Sequence, residues 1–268
     1  MTDLVLLHGW AAGPEVWACQ EKYFSEERIV KVNYHKGVKD ARIDHCLSLY
    51  ATAAMELIDR ATDRKAVLLG WSLGALVALE LALYFPEKIK SLVLAGGTGC
   101  FTQAPGYSAG LPRVVVERMQ KRLSKNVDQT LDGFYSLMFT AEERQTGFEE
   151  RFRQGVLSQG LNWSKEELAA GLNYLLVRDL RCCLKDIDLP VLIVHGERDV
   201  ICSAAGGLYL HENLSNSQFT IKKIGAHSMG FSLKEGEVFK LTGLYNTRYG
   251  YENQVYASYE VLYGMARK

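Results

Sequence analysis

Ala66-Val67-Leu68-Leu69-Gly70-Trp71-Ser72-Leu73-Gly74, running on through Ala75 to Phe85 and halted by Pro86, is the stretch that decides the fold. Ala66–Leu69 is a short, continuously apolar run, as carried by a strand buried on both faces. Leu73–Phe85 is apolar nearly all round and long enough for a buried helix, which the proline ends. Ser91–Ala95 is a second apolar run. A strand–helix–strand unit is thus complete, with Ser72 at its first turn between Gly70 and Gly74.

Outward from this unit the alternation recurs. Leu4–Leu7, Ile29–Asn33, Val191–Val194 and Phe219–Ile224 are further strand candidates. Together they predict an α/β fold, a mainly parallel sheet with helices on both faces. Past Cys100 the rhythm changes. Pro105 and Pro112 punctuate a loop, then Val114–Leu123, Val127–Phe139 and Glu142–Leu157 carry helical periodicity with no strand between them. Residues 101–184 are expected to form a helical cap inserted into a core built from residues 1–100 and 185–243. Residues 244–268 stand apart, because Val255-Tyr256-Ala257-Ser258-Tyr259-Glu260-Val261-Leu262-Tyr263 alternates as a strand does.

Gly70-Trp71-Ser72-Leu73-Gly74 matches G-x-S-x-G between a strand and a helix, a sharp turn that lifts a serine hydroxyl clear at a helix N-terminus. A serine there can also merely cap the helix. What favours chemistry is the order of its partners. Asp199 follows Val191–Val194 in Gly196-Glu197-Arg198-Asp199, and His227 follows Phe219–Ile224 in Gly225-Ala226-His227-Ser228. All three then lie at the carboxyl edge of a parallel sheet, where catalytic loops of such sheets belong. After Ser91–Ala95 the next carboxylate is Glu117, well inside the cap, so competing acids are few. The roles follow: Ser72 as nucleophile, His227 as base, Asp199 holding the imidazole. The oxyanion donors are the backbone N–H groups of Leu73 and of Trp10, which follows His8-Gly9 after the first strand. Trp71, beside the nucleophile, either packs or walls an acyl pocket. His8 is read as a buttress of its loop, and His35, His45, His195 and His211 receive no function.

The bulk properties agree with an ordinary enzyme domain. The 268 residues suit a single α/β domain. Lys and Arg total 31 against 31 Asp and Glu, so no global field draws the chain to nucleic acid or to a membrane. Met1-Thr2-Asp3 leads straight into Leu4 without the basic leader or long apolar core of a signal peptide. The six cysteines form no C-x-x-C pair and read as reduced thiols of a cytoplasmic protein. No metal and no cofactor are predicted, and a monomer is expected.

At Leu4-Val5-Leu6-Leu7-His8-Gly9-Trp10, Glu15-Val16-Trp17-Ala18-Cys19 and Gly70-Trp71-Ser72-Leu73-Gly74 the chain resembles the pimeloyl-ACP methyl ester esterases of biotin synthesis, within the α/β-hydrolase superfamily. Gly99-Cys100-Phe101 and Asp179-Leu180-Arg181 continue the resemblance toward Asp199 and His227. It implies hydrolysis of the methyl ester of pimeloyl-ACP through an acyl-enzyme. It also implies that Trp10, Leu73 and the cap segment containing Phe134 and Met138 contact the acyl chain. A substrate carried on an acidic protein calls for a basic docking face. Arg118, Lys121, Arg122 and Lys125 share one helical face and supply it.

Three features depart from the resemblance. The fold's usual N-terminal hairpin is not expected before Leu4, and Tyr34-His35-Lys36-Gly37-Val38 lacks the relatives' Gly-rich run. The tail is similar to the last strand of a malonyl-ACP methyltransferase, yet no Gly-rich cofactor loop accompanies it, so no methyl transfer is predicted. A C–C hydrolase or lyase of menaquinone or aromatic metabolism is the alternative enzyme, since the same triad serves those reactions. A silent ligand receptor on this fold is the contrasting class, against which an intact Ser72, Asp199 and His227 argue.

Overall fold

The six strand candidates between Leu4 and Ile224 are all present, and all of them run parallel. The computed structural model describes residues 3–18, 21, 28–34, 47–154, 163–222 and 226–227. Elements are numbered in chain order: β1 Asp3–Leu7, β2 Arg28–Lys31, β3 Ala66–Trp71, β4 Ile89–Ala95, β5 Val191–Gly196 and β6 Ser217–Lys222. The six-stranded sheet has the order β2-β1-β3-β4-β5-β6. The winding reverses at β1, which pairs with β2 on one side and β3 on the other. The switch point of the sheet therefore falls at the carboxyl ends of β1 and β3, the place where ligands of doubly wound sheets bind.

Helix α1 spans Leu49–Ala61 and α2 spans Leu73–Tyr84. The all-round apolar character of α2 has a plain cause: Leu73 through Ala82 are all buried, the helix lying against β3, β4 and α1. Its one charge, Glu80, is fully buried and fully engaged. Glu80 accepts from the Ser48 backbone N–H at 2.6 Å, the Ser48 hydroxyl at 2.8 Å and the Tyr174 hydroxyl at 2.9 Å, and pairs with Arg178 at 2.7 Å. The helix after Ser72 is thereby tied to the entry of α1 and to Tyr174 and Arg178, at the end of the helix Lys165–Val177.

Between β4 and β5 lie α3 Arg113–Lys125, α4 Val127–Leu137, α5 Ala141–Gln145, α6 Phe148–Phe152 and α7 Lys165–Val177. The chain marks their starts. Asn126 caps α4, and Thr140 and Ser164 form capping boxes with Glu143 and Glu167. One expectation is corrected: Glu142–Leu157 is not a continuous helix. Gly147 adopts φ 70°, a left-handed conformation open to glycine at little cost, and separates α5 from α6. The end of that stretch, Cys19, Cys46 and the tail at 244–268 lie outside the described residues. After β5, α8 covers Ala204–Asn213. No described helix is long and apolar enough to cross a membrane.

Candidate active site

Ser72 sits on the turn from β3 to α2 with φ 57° and ψ −118°, a conformation that L-residues avoid. The turn is enforced by close backbones. A Cβ on Gly70 would come 2.4 Å from the Gly74 carbonyl oxygen, and one on Gly74 would come 2.1 Å from that of Leu7. Side chains at either position would push β3, α2 and β1 apart. The Ser72 N–H donates to the Ala95 carbonyl at 3.0 Å, pinning the turn to β4. Although Ser72 stands at the N-cap position, its hydroxyl makes no capping bond. It meets His227 Nε2 at 2.8 Å instead.

The other side of the imidazole is equally defined. His227 Nδ1 lies 2.8 Å from Asp199 Oδ2. Asp199 Oδ1 accepts the backbone N–H groups of Ile201 at 2.9 Å and Cys202 at 2.8 Å, which fixes the carboxylate plane. The tautomer that puts the ring proton on Nδ1, toward the carboxylate, leaves the Nε2 lone pair facing the Ser72 hydroxyl. Ser72, Asp199 and His227 are 8%, 6% and 0% exposed, so the relay is shielded from water.

Trp71 and Leu73 adjoin Ser72 in the chain, and the other sequence-predicted residues lie on the loop after β1, on α4 and at its C-cap, and on α3. Leu73 opens α2, and its N–H has no acceptor within the helix. The Trp10 side chain is tied to the cap, its indole N–H donating to the Leu168 carbonyl at 2.9 Å and its ring meeting Phe134 edge-on at 4.8 Å. The Trp71 indole donates to the His227 main-chain carbonyl at 3.0 Å, and its ring lies 5.4 Å from the imidazole. Trp71 therefore steadies the His227 backbone. Met138 is completely buried within the cap. Arg118, Lys121, Arg122 and Lys125 stand exposed on α3 and make no ion pair among the described residues. His8 Nδ1 meets the Gly9 carbonyl at 2.9 Å and its ring meets Tyr34 edge-on, inside the loop it was expected to buttress.

Several residues around the site were not singled out from the sequence. Gly96, at φ 54°, leaves room for the relay: a Cβ there would lie 3.3 Å from His227 Nδ1 and 3.4 Å from Asp199 Oδ2. A glycine pair directly after a strand end was the available hint. His195, at the end of β5, is fully buried, and burial lowers its pKa to about 4, the nearby Asp199 charge only partly opposing. It is a neutral ring at working pH. Tyr135 and Trp163, from the cap, reach the loop after β1.

Residues 4–232 match the family described as alpha/beta hydrolase fold. The chain is 31% identical over 236 residues to a pimeloyl-[acyl-carrier protein] methyl ester esterase of Nitrosomonas europaea, covering 87% of this chain and 91% of that one. It is 30% identical over 233 residues to the protein of the same name from Pectobacterium carotovorum, covering 85% and 88%. Among solved structures, an esterase from Exiguobacterium antarcticum superposes with a TM-score of 0.77 at 26% identity, over 91% of each chain.

Proposed function

The chain belongs to the alpha/beta hydrolase fold family, and on that premise we propose that it is a serine carboxylesterase removing the methyl ester of pimeloyl-ACP. The observation that carries the chemistry is the continuous relay from Asp199 Oδ2 through His227 to Ser72 Oγ, both contacts at 2.8 Å. The names of the two relatives near 30% identity support the substrate.

The two 2.8 Å contacts support the following reaction. Ser72 Oγ attacks the ester carbonyl as His227 Nε2 takes its proton, and Asp199 stabilises the imidazolium. The oxyanion is received by the N–H groups of Leu73 and Trp10, each worth about 3 kcal/mol in the transition state. The tetrahedral species collapses, methanol leaves with the proton from His227, and an acyl-serine remains. Water, deprotonated by His227, then attacks the acyl-serine. Ser72 departs with the returned proton and a free carboxylate is released.

Trp10, Leu73, Phe134 and Met138 line the path of the acyl chain in this reading, which makes residues 101–184 both cap and pocket wall. The carrier protein docks on Arg118, Lys121, Arg122 and Lys125. The test is hydrolysis of pimeloyl-ACP methyl ester by the purified protein beside its Ser72→Ala variant, with p-nitrophenyl butyrate as a carrier-free ester. Methanol release lost in the variant is expected. Turnover of p-nitrophenyl butyrate alone would discard the carrier-linked substrate, and inertness toward both esters would favour a C–C hydrolase or lyase.

A further inference from the structure

The loop after β1 is strapped to the cap by three hydrogen bonds. The Tyr135 hydroxyl donates to the Ala11 carbonyl at 2.6 Å, and the Trp163 indole N–H donates to the Ala12 carbonyl at 3.0 Å. In the opposite sense, the Trp10 indole N–H donates to Leu168 on α7. The strapped segment is strained: Ala11 has φ 53°, the one described residue besides Ser72 that is not glycine and has a positive φ. An L-residue persists there only where its surroundings over-determine it. Ala11 and Ala12 are 0% and 1% exposed, so their carbonyls depend on protein partners rather than on bulk water.

Tyr135 is itself rigidly placed. It is buried on α4, with the Phe152 ring 5.7 Å away and the Arg153 guanidinium 5.8 Å over its face. Burial raises its phenol well above the ordinary range, so it remains a donor across any working pH.

We propose that Tyr135 is a positioning residue of the oxyanion hole, holding the strained Ala11 so that the Trp10 backbone N–H aims at the oxygen of an ester bound to Ser72. The proposal rests on the assignment of Trp10 and Ser72 made above. It ties hydrolysis to the cap: α4 and the segment entering α7 hold the loop in its donor geometry. A displaced donor still lets substrate bind but loses the interaction that strengthens in the transition state.

Tyr135→Phe removes one oxygen and keeps the ring, so it tests this directly on the full chain. With p-nitrophenyl butyrate the variant is expected to lose roughly 10- to 100-fold in kcat, with KM within about twofold. Affinity for a trifluoromethyl ketone, which forms an oxyanion on the serine, should fall by the same factor. Trp163→Phe, which removes the adjacent bond, should lower both in the same direction and serves if Tyr135→Phe does not fold. Unchanged kcat and ketone affinity in the folded variant, with Ser72→Ala inactive, would overturn the strap and leave the triad standing. Activity surviving in Ser72→Ala would overturn the triad itself.

Discussion

The indole N–H of Trp71 donates to the main-chain carbonyl of His227 across 155 intervening residues, at 3.0 Å. The residue preceding Ser72 thus holds the backbone of His227, so one rigid side chain links two members of the proposed relay. Trp71→Phe keeps an aromatic body against the imidazole and deletes only the bond. A neutral hydrogen bond contributes about 1 kcal/mol net, which corresponds to a kcat loss of roughly fivefold. Steady-state kinetics on p-nitrophenyl butyrate would read this, and an unchanged kcat would return Trp71 to simple packing.

Asp199→Asn probes the tautomer. An asparagine carbonyl at the Oδ1 position can still accept from Ile201 and Cys202, so the loop should keep its shape. Its amide then presents N–H toward His227 Nδ1, forcing the ring proton onto Nε2, where it faces Ser72. The base is lost with little change in stability. The expected outcome is a kcat lower by about 10³- to 10⁴-fold, with a melting temperature within a few degrees of the parent. A loss below about tenfold would mean that another acid orients the histidine.

How far the sequence could be read depends on the range over which each signal acts. The strands were legible because continuous apolar runs such as Leu4–Leu7 and Val191–Val194 announce burial on both faces locally. Ser72, Asp199 and His227 could be set at one edge because each follows such a run within a few residues. Helix α8 was not legible, since Gly206-Gly207 argues against a helix. The reason for Gly207 lies elsewhere, in His195, whose Nδ1 would sit 2.2 Å from a Cβ there. The hold of α4 on the loop after β1 was equally hidden. Tyr135 and Ala11 are 124 positions apart, and no local periodicity encodes a hydroxyl reaching a single carbonyl. The break at Gly147 was missed because periodicity does not report a left-handed residue inside a polar run.

His195 predicts the acid limit of stability. In the folded chain its pKa is lowered from 6.5 to about 4 by burial, so it is neutral there while an unfolded chain takes up a proton below pH 6.5. The unfolded state then binds more protons between the two values, and stability falls as pH drops through that window. The full shift corresponds to about 3 kcal/mol, present above pH 6.5 and lost near pH 4. Urea melts from pH 7 to pH 4 should show the decline, and His195→Leu, of similar volume, should flatten it. An equal slope in the variant would assign acid sensitivity to other groups.

The proposed docking of a carrier protein, finally, turns on where charge is left uncompensated. The chain is neutral overall, so any attraction must be local. On α3 the one acid, Glu117, is taken up by Arg113 at 3.1 Å. Arg118, Lys121, Arg122 and Lys125 stay exposed, beside the exposed Val114 and Val115. Exposed charges of this kind steer association and are screened by salt within about 10 Å at 0.1 M. Lys121→Glu combined with Arg122→Glu should raise KM for pimeloyl-ACP methyl ester roughly tenfold at low salt, where a two-charge reversal acts on encounter. The penalty should shrink toward that of the parent at 0.5 M salt. Turnover of p-nitrophenyl butyrate, which needs no carrier, should not change. A KM that ignores both the reversal and the salt would move the docking face off α3.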